Sequence, residues 1–216
     1  MKRLRVRAYP DEAPAWPDRG QVILAQYDVE SVLLYQAASP GVARRVSASG
    51  SLGGEGFNAE RMQWFGTSFF WLMHHSAWAT APGQQRTLAL WVQRAAFDEL
   101  LAGAVHSRFE ADVYADEAAW QAALDASDVR VQWEADYPAH GPKLRRRAVQ
   151  LGVRGGALRG LADDWLLHVE DITGFVRQQA EFRDTPDLLF TPAQRIYPVR
   201  DAEVAQRLGL DKSVPA

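Results

Sequence analysis

The sequence predicts a single α+β domain with a mostly antiparallel, mixed sheet and flanking helices. Its 216 residues suit one domain, and 47% of them are apolar, which is enough for a stable core. The chain has no cysteine, so disulfides and thiolate metal sites are excluded. Runs of strand length and of helix length follow one another without the regular alternation of a parallel βαβ protein.

The first elements can be placed from the positions of proline and glycine and from runs of apolar residues. Residues 1–20 hold three prolines and are predicted to form a mostly extended N-terminal arm, and the domain then spans residues 21–216. The run Val32–Ala38 is rich in strand formers and is typical of a central strand covered on both faces. Ser39-Pro40 predicts a capped helix start, and Gly50 predicts the end of that helix.

An unusual aromatic segment follows, over Asn58–Thr80, and is predicted to form two helices that break at Gly66-Thr67. Its aromatic residues recur every seven positions, which places them along one stripe of a helix. They are Phe57, Trp64, Trp71 and Trp78. Two interpretations stay open, namely a packed core and a stacking wall for a base or a nicotinamide ring.

The later elements follow from alternation and amphipathic spacing. Predicted strands are Thr87–Gln93, Val129–Glu134, Arg147–Val153 and Trp165–Ile172. Predicted helices are Ala95–Ala104, one starting at Asp116, Gly155–Asp164, Thr173–Phe182 and Glu203–Leu208. Alternation puts Gln132 and Glu134 on the face opposite Val131, and it makes Arg147 the end of an otherwise apolar row.

Several classes of protein are disfavoured by composition and motifs. No stretch approaches ~20 apolar residues and no signal peptide is present, so we expect a soluble, cytoplasmic protein without a membrane partner. The phosphate loop of NTPases, the dinucleotide fingerprint and metal-ligand spacings are missing, and no metal is expected. All but three of the 24 cations are arginines, which suits phosphate binding and is equally typical of a GC-rich genome.

Seven polar side chains stand in apolar surroundings, where burial without a partner costs a few kcal/mol each. They either satisfy one another in a structural network or line a cleft. They are Gln36, Arg61, Ser68, Gln132, Glu134, Arg147 and Gln150.

A set of short motifs resembles one known family. They are Tyr35-Gln36-Ala37, Ser39-Pro40, Arg61-Met62, Trp64, Ser68-Phe69, Trp71-Leu72-Met73, Ser76 to Ala79, Gln84 with Arg86, Val129 to Trp133, Gln150 to Gly152, and Tyr197-Pro198. Together they resemble the uncharacterised bacterial and fungal domain family DUF4291, which implies a bacterial origin and no established activity. The chain departs from the family pattern at Gly66-Thr67, usually lysine-proline, and at His75, usually arginine.

The order of a strand ending at Tyr35-Gln36-Ala37, a helix and an aromatic segment is also similar to the start of an ADP-ribosyltransferase domain. This similarity implies an NAD-dependent transferase, with Glu134 and Gln36 as catalytic residues because a carboxylate stabilises an oxocarbenium ion. The residues expected to bind the nucleotide are Tyr35, Arg61, Trp64, Ser68, Trp71, Gln132 and Arg147. The alternative is a non-catalytic module that binds a nucleotide or a single-stranded nucleic acid.

Overall fold

The apolar run at the start of the domain forms the central strand β4 (Ser31–Ala38), of which every residue except Ala37 is buried. The computed structural model describes residues 2–211. The other strands are β1 (Val6–Ala8), β2 (Arg19–Gln21), β3 (Leu24–Ala25), β5 (Gln63–Gly66), β6 (Arg86–Gln93), β7 (Val105–His106), β8 (Val129–Ala135), β9 (Arg145–Val153), β10 (Leu166–Asp171), β11 (Phe190–Pro192) and β12 (Arg195–Ile196). The helices are α1 (Tyr9–Glu12), α2 (Pro40–Ser49), α3 (Phe69–His75), α4 (Arg94–Gly103), α5 (Glu117–Ala126), α6 (Gly155–Ala162), α7 (Thr173–Ala180) and α8 (Ala202–Arg207).

The main sheet is mixed and has eight strands, with the order β10-β6-β4-β5-β9-β8-β7 and β2 beside β9. Its pairs are antiparallel except β7 with β8 and β2 with β9, which are parallel. Two short antiparallel pairs, β1 with β11 and β3 with β12, lie outside it. The chain is therefore a single α+β domain with a mixed sheet and flanking helices, as the sequence predicts.

A split runs through the middle of this sheet. Strand β4 pairs with β6 along its whole length, and β8 pairs with β9 along its whole length. Between them, β4 and β5 share a single pair, Tyr35 with Gly66. The sheet therefore consists of a first half-sheet (β10-β6-β4) and a second half-sheet (β5-β9-β8-β7), which are joined at one point.

The two faces of the sheet differ in what covers them. One face packs on α2, α4, α6 and α8 in a core that includes Leu34, Phe97 and Leu151. On the other face, α3 and α7 cover the first half-sheet around Phe69 and Val176. That face of the second half-sheet carries polar side chains instead, and this difference positions the site described below.

The helix that follows β4 is built as the sequence predicts. The side chain of Ser39 accepts a hydrogen bond from Val42 N (3.4 Å), Pro40 occupies the first turn, and Gly50 ends the helix with φ of 69°. A residue in this left-handed region is usually glycine, because a Cβ atom is disfavoured there.

The prediction of a helix beginning at Asn58 is wrong. Trp64 lies on strand β5, Trp71 lies on α3, and Trp78 is buried in the second core with a positive φ of 54°. The spacing of seven therefore marks no single stripe. Local pattern could not reveal this, because β5 is only four residues long and its strand conformation depends on pairing with β9.

The segment predicted as an extended arm carries β1, α1 and the first two residues of β2. It packs on the rest of the molecule through Trp16, which is 9% exposed and donates a hydrogen bond from Nε1 to the carbonyl of Gln194 (2.8 Å). Across residues 2–211, no helix has the length and apolar character needed to cross a membrane.

Candidate functional site

A large cleft lies where the two half-sheets diverge. Its volume is about 1370 Å³, which exceeds the ~300–1,000 Å³ common for small-molecule sites. Its walls come from the end of β4, from α2 and the loop after it, from β5 and α3, and from β8 and β9. This volume suits an extended ligand such as a dinucleotide.

The floor of the cleft contains a row of four residues that crosses strands β4, β5, β9 and β8. Tyr35 pairs with Gly66, Gly66 with Gln150, and Gln150 with Gln132, so all four share one face. A Cβ atom on Gly66 would lie 2.7 Å from Oε1 of Gln150, so the amide of Gln150 fills the space that the glycine leaves. Gln150 is itself 3% exposed.

Four buried polar atoms in the cleft lining have no hydrogen-bond partner within residues 2–211. They are Tyr35 Oη, Gln36 Oε1, Gln84 Oε1 and Nε2 of Gln150. Such atoms are rare in native structures, because a buried donor or acceptor that is left without a hydrogen bond costs about 1–3 kcal/mol. They are four of the eight such side-chain atoms among the described residues, and the residues that carry the other four do not line the cleft.

Gln36 is the residue that spans the split. Its Nε2 atom donates to Oε1 of Gln63 on β5 (3.0 Å), and its own Oε1 is buried without a hydrogen-bond partner among residues 2–211. The side chain is 8% exposed. Gln36 therefore lies near the end of the central strand β4, in the lining of the cleft.

Among the described residues that line the cleft, Glu134 is the only carboxylate. It is half-buried, it accepts a hydrogen bond from Nε2 of Gln132, and no cation among the described residues lies within salt-bridge distance. A carboxylate without a cationic partner in a cleft is suited to stabilise positive charge on a ligand.

Three cations among the described residues also line the cleft. Arg45 on α2 lines it and donates from Nη1 to the carbonyls of Leu52 (2.8 Å) and Gly53. Arg61 and Lys143 also line the cleft, both are exposed, and neither forms an ion pair with any residue from 2 to 211. Three cations against one carboxylate favour an anionic ligand.

Helix α3 contributes two parallel ring stacks. Trp71 stacks on His75 with ring centroids 4.6 Å apart, and His74 stacks on Tyr137 at 4.1 Å, each with an interplanar angle of 13°. All four rings line the cleft. Trp64 also lines it from β5, with its ring close to Gly152, where a Cβ atom would lie 3.0 Å away.

His74 is held in one tautomer. Its Nε2 lies 3.2 Å from the carbonyl of Pro138, which only accepts, so Nε2 carries the proton and Nδ1 is the acceptor. Burial lowers the pKa of His74, while the hydrogen bond to Pro138 and the charge of Asp136 oppose that shift. The ring is therefore neutral at pH 7.

Two residues predicted to bind the nucleotide do not line the cleft. Ser68 is buried at the N-cap of α3, where its hydroxyl donates to Oδ1 of Asp136 (2.8 Å). Arg147 lies on the opposite face of β9, with Val149, and is exposed. The expectation that Arg147 converges with the other residues is wrong, because alternation in a strand separates it from Gln150. The structure does bring together Tyr35, Gln36, Arg61, Trp64, Trp71, Gln132 and Glu134.

Sequence reasoning missed several residues of the cleft. His74, Tyr137 and Lys143 were not assigned to it, although His74 stands in the most distinctive block of motifs. The stack of His74 on Tyr137 joins residues from α3 and from the loop after β8, which no local pattern reveals. Gln84 reaches the cleft after a backbone reversal at Ala77–Ala79, where three consecutive residues have φ between 48° and 60°.

Comparison with known proteins adds one finding. A family model described as "Domain of unknown function (DUF4291)" matches residues 22–197, which is most of the chain. The search of curated proteins found no match to the chain. Among residues 2–211, no group of three or more His, Asp or Glu side chains is arranged to hold a metal ion.

Proposed function

We propose that this chain, which belongs to the DUF4291 family, binds a nucleotide in the cleft and acts as an NAD-dependent, ADP-ribosyltransferase-like transferase. The observation that carries the proposal is the combination of unpartnered buried polar atoms, a carboxylate without a cationic partner, and cations in a single cleft of about 1370 Å³. The split between two half-sheets supports it, because the split creates an elongated space open to a long ligand.

The proposed chemistry follows from the cations and the carboxylate that line the cleft. Arg45 and Arg61 hold the pyrophosphate, because guanidinium groups suit phosphate oxygens. Glu134 stabilises the positive charge that develops on the ribose as the bond to nicotinamide breaks. Nicotinamide leaves neutral, a bond forms between the ribose and the nucleophile of the acceptor, and the proton of the acceptor is released. Gln36 positions the ribose.

Replacing Glu134 tests this proposal directly. We expect Glu134→Gln to lower NAD turnover by about 10²–10³-fold, because removing one preorganised electrostatic contact costs about 3–4 kcal/mol in the transition state. The melting temperature should stay nearly unchanged, since Glu134 forms no ion pair within the described chain and glutamine keeps an acceptor for Gln132. Release of nicotinamide and thermal unfolding are the measurements.

The matched control is Glu170→Gln, which removes an exposed carboxylate from strand β10, outside the cleft lining. It should leave turnover unchanged. Full turnover by Glu134→Gln would remove Glu134 from the mechanism, and absence of both NAD binding and turnover in the wild-type protein would contradict the proposal as a whole.

A second candidate function is binding of a single-stranded nucleic acid, and a specific surface favours it. Arg19 pairs with Arg145 in register between β2 and β9, and Arg147 follows on the same face. All three are exposed, and none forms an ion pair with another described residue. Such a row of arginines matches a run of phosphates.

Salt dependence tests this candidate. If the three arginines each neutralise one phosphate, affinity for a short single-stranded RNA should fall by about 20-fold between 50 and 200 mM salt. The double variant Arg145→Ala/Arg147→Ala should have a much shallower salt slope, measured by fluorescence anisotropy. The charge-matched control Arg108→Ala/Arg200→Ala alters exposed arginines elsewhere and should retain the wild-type slope. Equal slopes for both double variants would argue against the surface.

A further inference from the structure

The polar row on the floor of the cleft contains two unpartnered groups to which the proposed function assigns no individual role. Nε2 of Gln150 and the hydroxyl of Tyr35 are both buried, and neither has a hydrogen-bond partner among residues 2–211. The side chains of the two residues are 3% and 0% exposed. In a fold stabilised only by its own contacts, phenylalanine and an apolar side chain would be better at these positions.

The register of the sheet places the two residues in one row and on one face. Gly66 lies between Tyr35 and Gln150 in the row, and the Gln150 amide lies over it, 2.7 Å and 2.9 Å from where a Cβ atom would be. The missing side chain of Gly66 therefore lets the amide approach the strand of Tyr35. Burial raises the pKa of the Tyr35 phenol, so it stays protonated and is able to donate.

The chemistry of this pair defines what it recognises. The Gln150 amide presents a donor and an acceptor side by side. The carboxamide of a ligand presents the same two groups, so the donor of each can face the acceptor of the other. The phenol supplies a third hydrogen bond. The stacked rings of Trp71 and His75 line the same cleft and offer a flat surface to an aromatic ring.

We propose that Tyr35 and Gln150 form a specificity subsite that reads the carboxamide of a planar ring, the nicotinamide end of NAD. The inference rests on the proposed function and extends it by orienting the ligand in the cleft. Glu134 lies two residue pairs along β8 from Gln132, on the same face, and Gln132 is the next member of the row, so the proposal places the bond to ribose beside the carboxylate. The pyrophosphate then extends toward Arg45 and Arg61.

The experiment compares variants that remove unpartnered groups with variants that remove partnered ones. Tyr35→Phe and Gln150→Met delete the subsite. Tyr27→Phe and Gln179→Met are matched controls, because Tyr27 donates to the carbonyl of Ile196 (3.0 Å) and Gln179 accepts from Phe190 N (2.7 Å), both outside the cleft lining. Each protein is titrated with NAD, nicotinamide and ADP-ribose by calorimetry, and its melting temperature is measured without ligand.

The expected result has two parts. Tyr35→Phe and Gln150→Met should each weaken NAD and nicotinamide about tenfold and leave ADP-ribose unchanged, because each loses one ligand hydrogen bond. Both should melt at or above the wild-type temperature. The controls should bind all ligands normally and melt about 2–4 °C lower, since each loses a hydrogen bond made within the protein.

Other outcomes separate this inference from the proposed function. If the wild-type protein binds ADP-ribose as tightly as NAD, the nicotinamide ring adds no affinity. That result would overturn the subsite and leave a nucleotide-binding protein. Equal loss of NAD and ADP-ribose in the variants would show that the row contacts another part of the ligand and would also overturn it. A fall in melting temperature for Tyr35→Phe as large as for Tyr27→Phe would show that the phenol has an internal partner. Wild-type binding of none of the three ligands would overturn both the subsite and the proposed function.

Discussion

Asp136 is a carboxylate with no exposed surface, and three donors hold it. Ser68 Oγ and Nε of Arg146 each lie 2.8 Å from its oxygens, and Tyr137 N donates to it as well. Removal of one partner from such a pair usually costs about 3–5 kcal/mol, because the other charge stays buried. The sequence analysis presented Ser68 as a ligand-binding candidate, whereas in the structure Ser68 and Arg146 belong to a hydrogen-bond network that fixes the start of α3 against β9. The polar residue that satisfies them was not recognised from the sequence.

This network lies beside His74, for which the structure predicts a pH effect. Burial lowers the pKa of His74 below its ordinary 6.5, so the unfolded chain takes up a proton before the folded protein does. Stability that is present above pH 6.5 is therefore lost as the pH falls through and below that value. We expect His74→Gln, which keeps a donor for Pro138, to be less sensitive to acid than the wild type.

Urea unfolding at pH 7.5 and pH 5.5 measures this difference. Burial also lowers the pKa of His106, but that residue is present in both proteins and its contribution cancels. The same loss of stability in both proteins between the two pH values would contradict the assignment to His74.

At the scale of elements, the segment after α3 is the least expected feature. Ala77, Trp78 and Ala79 all adopt left-handed backbone angles, each at a cost of roughly 1–2 kcal/mol for an L-residue. Ser76 holds the turn, because its Oγ accepts from Ala79 N (3.2 Å) and its carbonyl accepts from Thr80 and Ala81. The turn reverses the chain so that Gln84 reaches the cleft. Backbone strain of this kind clusters at functional sites, which agrees with the location found here.

The strain predicts that replacing alanine by glycine has opposite effects on stability at two positions of the chain. Ala77→Gly should raise the free energy of unfolding by about 0.5–1 kcal/mol, because the side chain is exposed and glycine removes the left-handed penalty. Ala122→Gly, at an exposed position in α5, should lower it by about the same amount, since glycine weakens a helix interior. Chemical denaturation of both variants is the measurement, and destabilisation by Ala77→Gly would show that the turn is not strained.

At the scale of the whole molecule, the site depends on an incomplete sheet. Each half-sheet pairs fully within itself, and they meet only at Tyr35 and Gly66. Beyond that pair, side chains of both strands, including Gln36 and Trp64, line the cleft, and the Gln36–Gln63 hydrogen bond (3.0 Å) bridges the two strands. A continuous sheet would have closed the cleft, so the interruption of pairing creates the candidate site.

The sequence by itself determined the fold class, the central strand, the capped helix at Ser39–Gly50 and the face on which Gln132 and Glu134 lie, because hydrophobic period and capping chemistry act over a few neighbouring residues. Alternation also placed Arg147 with Val149, but the sequence analysis still expected Arg147 to bind the nucleotide, and the structure shows that it does not line the cleft. Only the tertiary structure decided that β5 is a strand and that the sheet splits beside it. Those features depend on pairing between segments far apart in the chain, and a local pattern carries no information about which distant partner will complete it.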